Sequence, residues 1–274
     1  MITVIVLTYN EELNISACLD SVSFSDDIWV LDSHSSDRTC AIAKAKGANV
    51  ELRTFDNYAA QRNHALSLPL KHDWVLMLDA DELATPEVLQ EIKTITEMPN
   101  NPVTLYRMRR KDMFMGQWLK RSSGYPTWFA RLFRKGRVQV EREINEEYTT
   151  DGQVGLLQSH LIHYPFNKGT AYWIERHNRY SSMEAKRLSE EIEASIPWGL
   201  LKDKDPALRR KAFKQIAYRL PCRPLLAFVY LYFIKLGFLD GKPGFHYSRM
   251  RAMYEYMIEL KMIEHTRKQK GLPI

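Results

Sequence analysis

The stretch from Trp74 to Glu82 constrains the fold of this chain more than any other. Five apolar residues in a row, Trp-Val-Leu-Met-Leu, predict a strand buried on both faces, as in a parallel sheet covered by helices. Asp79, Asp81 and Glu82 follow directly. Ligands of open α/β sheets bind outside the carboxyl ends of the strands, and two carboxylates there suit a hard divalent cation, Mn²⁺ or Mg²⁺. A turn that merely opens the next helix is the alternative.

Strands and helices alternate along the first hundred residues. Apolar, β-branched runs predict strands at residues 2–7, 28–31 and 49–52, and the segments between and after them predict helices at 14–22, 39–46 and 59–68. This alternation is typical of βαβ units with a mainly parallel sheet and flanking helices. Right-handed crossovers would bring the strand ends at Thr8, Asp32 and Asp79 to one edge. No glycine-rich phosphate loop is present, which argues against P-loop and dinucleotide-binding enzymes.

Length and composition predict a folded chain with an uneven charge. The 274 residues suffice for one large domain or a domain with an appendage, and 45% hydrophobic residues are ordinary for a folded protein. The first hundred residues are acidic on balance, and the remainder carries the excess of 39 Lys+Arg over 33 Asp+Glu. This asymmetry favours an anionic partner. Three cysteines without metal-ligand spacing favour a reducing compartment, and the lack of a basic n-region argues against a signal peptide.

Four motifs stand in a specific order in the first part of the chain. They are Val-Ile-Val-Leu-Thr-Tyr-Asn-Glu at 4–11, Val-Leu-Asp-Ser-His-Ser-Ser-Asp at 30–37, Gln-Arg-Asn at 61–63 and Leu-Asp-Ala-Asp-Glu at 78–82. At these distances they resemble the family 2 glycosyltransferases, which have the nucleotide-sugar-binding GT-A fold. A weaker match at 131–134, 144–147 and 163–164 looks like bacterial lipopolysaccharide-core and polysaccharide-assembly glucosyltransferases. The resemblance implies an α/β, Rossmann-like GT-A catalytic domain at 1–170, with a nucleotide-sugar half at 1–100 and an acceptor half at 101–170.

The resemblance assigns the first loop and the second strand end to the donor nucleotide. Tyr9 would stack on the base, Thr8 and Asn10 would line its pocket, and Glu11 belongs to the same nucleotide-sugar-binding loop. Asp32 would accept hydrogen bonds from base or ribose. Many relatives have a second acidic residue after this Asp, where this chain has serine. Taken alone, Tyr9 would be interpreted as packing under the loop.

Three further positions complete the implied donor site. Arg62 would help to clasp the nucleotide, although in isolation it is an exposed helix charge. Asp79 would lie near the ribose or the metal, and Asp81 would hold a Mn²⁺ or Mg²⁺ ion. Breaking a sugar–phosphate bond releases a nucleoside diphosphate, and a divalent ion there stabilises the developing negative charge.

A carboxylate must also take the proton from the acceptor hydroxyl as it attacks. The acid-rich segment 138–147 supplies the candidates, and the match to relatives that carry His-Glu where this chain has Asn145-Glu146 favours Glu146 as the catalytic base. Glu143 and Glu147 are rivals, and a solvated acidic face is the alternative for each. In the family this single displacement inverts the anomeric centre.

Two other positions stay open from the sequence. Arg131, with Arg134, could contact the diphosphate or an anionic acceptor, or could lie on a solvated strand edge. His163 follows a strand-like run and is either a metal-binding histidine, as in related enzymes, or a satisfied core histidine.

The region from 171 to 274 changes character. A long amphipathic helix is expected from 171 to about 195, followed by a basic stretch, ten apolar residues at 225–234, a Gly-Phe-Leu-Asp-Gly loop and a helix from 246 to about 268. Ten apolar residues are too few to span a bilayer, which needs roughly 20. We expect a helical, amphipathic, membrane-associating appendage, so that the protein is cytoplasmic and peripheral on the inner membrane. A buried helix or a homo-oligomer interface is the alternative.

Together these features predict an inverting, metal-dependent glycosyltransferase. It would move a sugar from a nucleoside-diphosphate donor, by family habit a UDP-sugar, to a lipid-linked, lipopolysaccharide or exopolysaccharide acceptor at the cytoplasmic face of the membrane. A nucleotidyltransferase and a catalytically silent GT-A membrane scaffold are the alternatives. Nucleic acid is not an expected partner, because the basic run at 107–111 is short and no binding module accompanies it.

Overall fold

The computed structural model describes residues 1–141, 147–192, 216 and 219–274. The chain divides into two units, one of residues 1–116 and 125–167 and the other of residues 117–124 and 168–274. The helices of the first unit are α1 (Ile15–Ser21), α2 (Thr39–Ala45), α3 (Tyr58–Ser67) and α4 (Pro86–Glu97). The strands along the chain are β1 (Thr3–Thr8), β2 (Ile28–Asp32), β3 (Asn49–Leu52), β4 (Trp74–Asp79), β5 (Glu82–Leu83), β6 (Val103–Phe114), β7 (Gln117–Trp118), β8 (Trp128–Arg134), β9 (Val138–Glu141), β10 (Glu147–Thr150) and β11 (Gln153–His163).

The main sheet of the first unit has the strand order β3-β2-β1-β4-β8-β6-β11-β5. Strands β1 to β4 are parallel to their neighbours in this group, and β6 is parallel to β11. Strand β8 lies antiparallel between β4 and β6, and β5 is antiparallel to β11. The predicted mainly parallel α/β sheet with flanking helices is therefore confirmed.

Strand β4 is buried on both faces, as its apolar run predicts. Leu76 and Leu78 belong to the apolar cluster beneath α1 and α4, whereas Val75 and Met77 belong to the cluster on the opposite face. Consecutive side chains of a strand point to opposite faces, so an uninterrupted apolar run fits a strand between two helical layers.

The strand register brings three polar strand ends together. Thr8 pairs with Asp32 across β1 and β2, and Leu7 pairs with Asp79 across β1 and β4. The carboxyl ends of the three strands thus lie at one edge, as the right-handed crossovers predict. We call this region, with Asp79, Asp81 and Glu82, the carboxylate edge.

The second unit is helical over most of its described length. It contains α5 (Gly169–Ile192), α6 (Arg223–Val229) with a π-helical turn at Tyr230–Ile234, a 3-10 turn at Gly237–Asp240 and α7 (Gly241–Gln269). Helices α5 and α7 pack through Ala185, Leu188 and Ile258, and Lys261 Nζ donates hydrogen bonds to the main-chain carbonyl and side chain of Asn178 at 2.5 and 2.6 Å. The predicted C-terminal helical appendage is confirmed over the described residues.

In the described part of the chain no single helix has the length and apolar character of a membrane span. One bent pair of helical segments, Arg223–Ile234 and Gly237–Gln269, has the length and apolar character of a span when its two parts are taken together. The angle between the two parts is 74°.

Candidate active site

Asp32 ties the ends of β1 and β2 together. Its carboxylate accepts hydrogen bonds from Thr8 Oγ1 at 2.7 Å, from the main-chain N–H of Ser35 at 2.7 Å and from Ser35 Oγ at 2.5 Å. Asp32 is fully buried and Thr8 nearly so. Both lie at the predicted position, and Asp32 fixes the loop after β2. Its contact with base or ribose stays a prediction.

The loop after β1 is pinned to the loop after β2. Asn10 adopts a left-handed backbone with φ of 53°, which asparagine tolerates better than most residues. Its side-chain oxygen accepts from the main-chain N–H of Ser36 at 2.8 Å, and the main-chain N–H of Glu11 donates to Thr39 Oγ1 at 2.7 Å. Tyr9 remains 49% exposed on this fixed loop. An exposed aromatic ring on a rigid loop can stack on a planar ligand.

Asp79 is held by two arginines from distant parts of the sequence. Its Oδ1 accepts a hydrogen bond of 2.9 Å from Arg62 on α3, and its Oδ2 accepts one of 2.6 Å from Arg131 on β8. Both arginines are 3% exposed, so the interpretation of Arg62 as an exposed charge is wrong. Burial raises the pKa of the Asp79 carboxyl, but Arg131 and Arg62 outweigh this and hold the pKa below its ordinary value. Asp79 is therefore ionised and fixed in orientation.

Glu82 is a fully buried anchor for the same arginine. Its carboxylate accepts hydrogen bonds from Arg131 Nε and Nη2 at 2.8 and 2.9 Å, from Arg110 Nη1 at 3.2 Å and from the main-chain N–H of Asp79 at 3.2 Å. A buried ion pair is favourable only with such a complete set of partners. The alternative that Arg131 lies on a solvated strand edge is wrong, because the residue bridges two carboxylates.

Asp81 is joined to a second carboxylate through a histidine. Asp81 Oδ2 lies 3.4 Å from His163 Nε2, and His163 Nδ1 lies 2.7 Å from Asp112 Oδ1. The register of β6 and β11 pairs His163 with Asp112, which explains their contact. Burial and Arg110 lower the pKa of His163, but Asp81 and Asp112 outweigh them and raise it to about 9. Asp112 is a site residue that the sequence did not single out, because only the strand register brings it to His163.

A recess of about 180 Å³ borders Asp81 and is lined in part by Asn14, Leu83 and Tyr164. Drug-sized ligands occupy pockets of about 300–1,000 Å³. The recess is therefore too small for a complete nucleotide sugar, whereas the exposed Tyr9 and the ends of β1 and β4 form an open surface.

The candidate bases Glu143 and Glu146 lie outside the described residues, and for Glu147 the structure describes the backbone at the start of β10. The preceding strand β9 is fixed to α3 by the Asn63 amide. Asn63 donates to the carbonyl of Val140 at 2.8 Å and accepts from its N–H at 2.9 Å. This pairing attaches the strand at the start of the acid-rich segment to the helix that carries Arg62.

The donor chemistry of the edge suits a hard divalent ion with few protein ligands. Carboxylate oxygen from Asp81 is a suitable donor, whereas His163 Nε2 can bind a metal only where the metal displaces its proton. Mg²⁺ and Mn²⁺ sites in phosphate enzymes typically take one or two carboxylates with the substrate phosphates. Within the described ranges no group of three His, Cys, Asp or Glu side chains forms a closed metal cage. The residues thus fit a metal that shares its coordination with a ligand.

Comparison with known proteins shows which family has this arrangement. Residues 3–163 match the model of the glycosyl transferase family 2. An uncharacterized glycosyltransferase of Rickettsia typhi is 27% identical over 99% of this chain and 89% of its own length. A lipopolysaccharide core biosynthesis glycosyltransferase, LpsC of Rhizobium meliloti, is 24% identical over 94% of this chain and 90% of its own.

Among solved structures, a mannosyltransferase of Pyrobaculum calidifontis, determined in complex with GDP-Man and Mn²⁺, superposes with a TM-score of 0.51. It covers 96% of this chain and 86% of the mannosyltransferase at 16% identity, so that the likeness concerns the fold. The family match covers more than half of the 274 residues and includes the whole carboxylate edge. The chain belongs to the family 2 glycosyltransferases and has their GT-A fold.

Proposed function

We propose that this glycosyltransferase transfers a sugar, with inversion, from a UDP-sugar to a lipid-linked or lipopolysaccharide-type acceptor at the cytoplasmic face of the inner membrane. The observation that carries the proposal is the carboxylate edge. Thr8, Asp32 and Asp79 end three adjacent strands at one edge, and Asp81 follows beside them. Such an edge is where α/β sheets bind nucleotides.

The donor nucleotide is proposed to bind across the ends of β1, β2 and β4. Tyr9 would stack on the base, and Asn10 and Glu11 hold the loop that presents it, since their main chains are tied to the loop after β2. Arg62 and Arg131 compensate the negative charge of Asp79 and Glu82. This compensation would reduce the repulsion between the carboxylates and the diphosphate, while Asp79 would face the ribose or the metal.

The metal is proposed to be held by Asp81, and by His163 Nε2 where the metal displaces its proton, and oxygens of the diphosphate would supply further ligands. A bound Mn²⁺ or Mg²⁺ would neutralise negative charge on the leaving nucleoside diphosphate. The tie between His163 and Asp112 favours this geometry, because ligating histidines usually give their second nitrogen to a carboxylate or carbonyl. The mannosyltransferase solved with GDP-Man and Mn²⁺ supports the use of a divalent ion.

The proton of the acceptor hydroxyl is proposed to go to Glu146, with Glu143 and Glu147 as rivals. Replacing the true base by glutamine removes the proton acceptor and keeps the side-chain volume, so transfer should fall by about 10²- to 10⁴-fold. Glu146→Gln, Glu143→Gln and Glu147→Gln, assayed for release of nucleoside diphosphate, would identify the base. The catalytic base is the residue whose replacement lowers kcat strongly and leaves the donor affinity unchanged.

The first experiment is a calorimetric titration with UDP, GDP, CDP and TDP, each with Mn²⁺ and with chelator. We expect one nucleotide, UDP, to bind with Mn²⁺ at least tenfold more tightly than with chelator. Asp81→Asn should abolish this difference, whereas Asp151→Asn, at an exposed aspartate paired with Arg137, should preserve it. Metal-independent binding by the wild type, or an unchanged response in Asp81→Asn, would refute the proposed metal site.

A further inference from the structure

A run of exposed apolar side chains covers one face of the second unit. Within fifteen residues, eight large apolar side chains are more than a third exposed: Leu225, Leu226, Tyr230, Phe233, Ile234, Leu236, Phe238 and Leu239. Phe233 is 54% exposed and Ile234 66%. Single exposed apolar residues are ordinary, but contiguous groups on a protein surface mark interaction sites. We call these eight residues the apolar face.

The apolar face is held in place by a packed layer beneath it. Phe228 stacks on Tyr232 at 5.3 Å between ring centroids, and both rings contact Phe245 at 6.0 and 5.5 Å. The aromatic side chains of this segment therefore divide into an inner packed set and an outer exposed set.

The turn after the helical run is also fixed. The buried Asp240 accepts hydrogen bonds from the main-chain N–H groups of Arg121 and Ser122 at 2.9 and 2.8 Å and from Ser122 Oγ at 2.8 Å. A Cβ on Gly244 would lie 2.2 Å from the carbonyl oxygen of Gly237, so the close approach of the two main chains requires glycine at 244. The exposure of the face is thus built into the fold.

The charge beside the face is positive. Six basic residues and one acidic residue, Asp240, occur from Arg219 to Tyr254, and one of the six, Arg223, is buried and paired with Glu255 at 2.6 Å. The Asp240 carboxylate is 3% exposed and hydrogen-bonded within the unit, whereas Lys235 and Lys242 are exposed beside the apolar residues. Two copies of such a face would repel each other, and an anionic surface would attract it.

The dimensions of the first helical part favour the interface of a bilayer. The helical run 223–234 is about 18 Å long at the usual rise per residue, against about 30 Å for a hydrocarbon core. The bend of 74° then turns the chain back into α7. A short helix with aromatic and aliphatic residues outward and lysines at its margin fits the headgroup boundary of an anionic leaflet.

We propose that the apolar face is an interfacial anchor that binds anionic phospholipid. The proposal deepens the proposed function, because it names the surface by which an enzyme with a lipid-linked acceptor would reach the membrane. Phe233, Ile234 and their neighbours enter the headgroup boundary, and Lys235 and Lys242 contact the phosphates. No catalytic residue takes part.

The test is co-sedimentation of the full-length protein with vesicles of phosphatidylglycerol and phosphatidylethanolamine, and with vesicles of phosphatidylcholine alone. We expect binding to the anionic vesicles that weakens with added salt, and at least tenfold weaker binding to phosphatidylcholine. The double variant Phe233→Ser/Ile234→Ser should reduce binding to anionic vesicles at least tenfold. Lys235→Glu/Lys242→Glu should reduce it by about 30-fold or more, since each lysine near an anionic surface contributes about fivefold.

The matched control is Val154→Ser/Leu156→Ser, which changes two apolar residues of the first unit that are 50% and 51% exposed. This control should bind vesicles like the wild type, and all variants should melt within a few degrees of it. Equal loss in the control, or undiminished binding by the Phe233→Ser/Ile234→Ser variant, would overturn the proposal. A third result would also overturn the proposal: the wild-type protein does not bind vesicles, and the Phe233→Ser/Ile234→Ser variant forms a smaller oligomer than the wild type. The face would then be an interface between copies of the chain.

Asp81→Asn separates this proposal from the proposed function. The variant should lose metal-dependent nucleotide binding and still sediment with anionic vesicles, whereas Phe233→Ser/Ile234→Ser should keep nucleotide binding and lose sedimentation. If wild-type protein binds vesicles but no nucleotide, the anchor stands and the proposed function fails. The reverse result rejects the anchor alone.

Discussion

The carboxylate edge of the first unit and the apolar face of the second unit differ in how their energetically costly groups are compensated. These groups are carboxylates at the edge and exposed apolar side chains on the face. At the edge, the partly exposed Asp79 and the fully buried Glu82 are matched by buried arginines. On the face, large apolar side chains are exposed over a packed aromatic layer. Buried charges without partners cost several kcal/mol each, so the edge must compensate them within the chain. Exposed apolar groups cost less free energy, and a molecule that binds to the chain can compensate them.

The residues of the edge stabilise the fold, whereas the exposed side chains of the face are available to bind another molecule. Removing a member of the edge should damage stability, because its partners are then left as buried, unpaired charges. Removing a side chain from the face should leave stability intact and change only what the protein binds. Four substitutions test this contrast and the supports of both regions.

Arg131→Ala should have the largest effect. It leaves Asp79 and Glu82 without their shared cation, and breaking a buried pair costs about 3–5 kcal/mol in the free energy of unfolding. Arg137→Ala is the control, because Arg137 forms an exposed pair with Asp151, and solvent-exposed pairs contribute little to stability. Urea unfolding measures both. Similar losses for the two variants would show that the edge is not compensated in the way described.

Asp112→Ala should weaken Mn²⁺ binding by about 10- to 100-fold, since Asp112 orients His163 and changes to such supporting carboxylates have effects of this size. Calorimetry or electron paramagnetic resonance with Mn²⁺ and UDP measures the affinity directly. Asp151→Ala should leave it unchanged. An unaltered affinity in Asp112→Ala would show that the Asp112–His163 contact serves packing only.

Asp240→Ala should destabilise the second unit by about 1–3 kcal/mol, because the N–H groups of Arg121 and Ser122 lose their acceptor. Thermal unfolding measures the loss, and vesicle binding measured below the melting temperature should weaken with it. This result would sharpen the comparison, because the face would depend on a buried polar support just as the edge does. An unchanged melting temperature would contradict the role given to Asp240.

His177 should give the smallest effect. It stacks on Trp173 at 3.6 Å, and burial lowers its pKa to about 4, with smaller contributions from Arg176 and Arg251. Because the unfolded state then binds the proton more readily, stability is complete above the ordinary pKa of 6.5 and falls as the pH drops toward 4. Allowing for the partial exposure of the ring, we expect a loss of about 1 kcal/mol between pH 7 and pH 5.

Denaturant unfolding at the two pH values, with His177→Gln against the exposed His246→Gln, tests this linkage. His177→Gln should remove the loss and His246→Gln should retain it. A pH slope that persists in His177→Gln would assign the effect to another group.

The amino-acid sequence predicts the strands and helices of the first unit and the polar residues at the strand ends. Apolar runs marked β1, β2 and β4 within one or two residues, because a strand buried on both faces has no room for polar side chains. The motifs placed Thr8, Asp32 and Asp79 at strand ends, and parallel strands joined by right-handed crossovers can only bring those ends to one edge. The family followed from the order of these motifs.

The hydrogen-bond and ion-pair partners of these side chains depend on the tertiary structure. Arg131 lies 52 residues from Asp79 and 49 from Glu82, and reaches both because β8 inserts antiparallel beside β4. His163 meets Asp112 through the register of β11 on β6. Strand order and register are properties of the whole sheet, and a slip of one residue would turn each of these side chains to the other face. In the same way, the apolar residues at 225–239 are compatible with a buried helix. Only the packing shows which of their side chains are exposed to solvent.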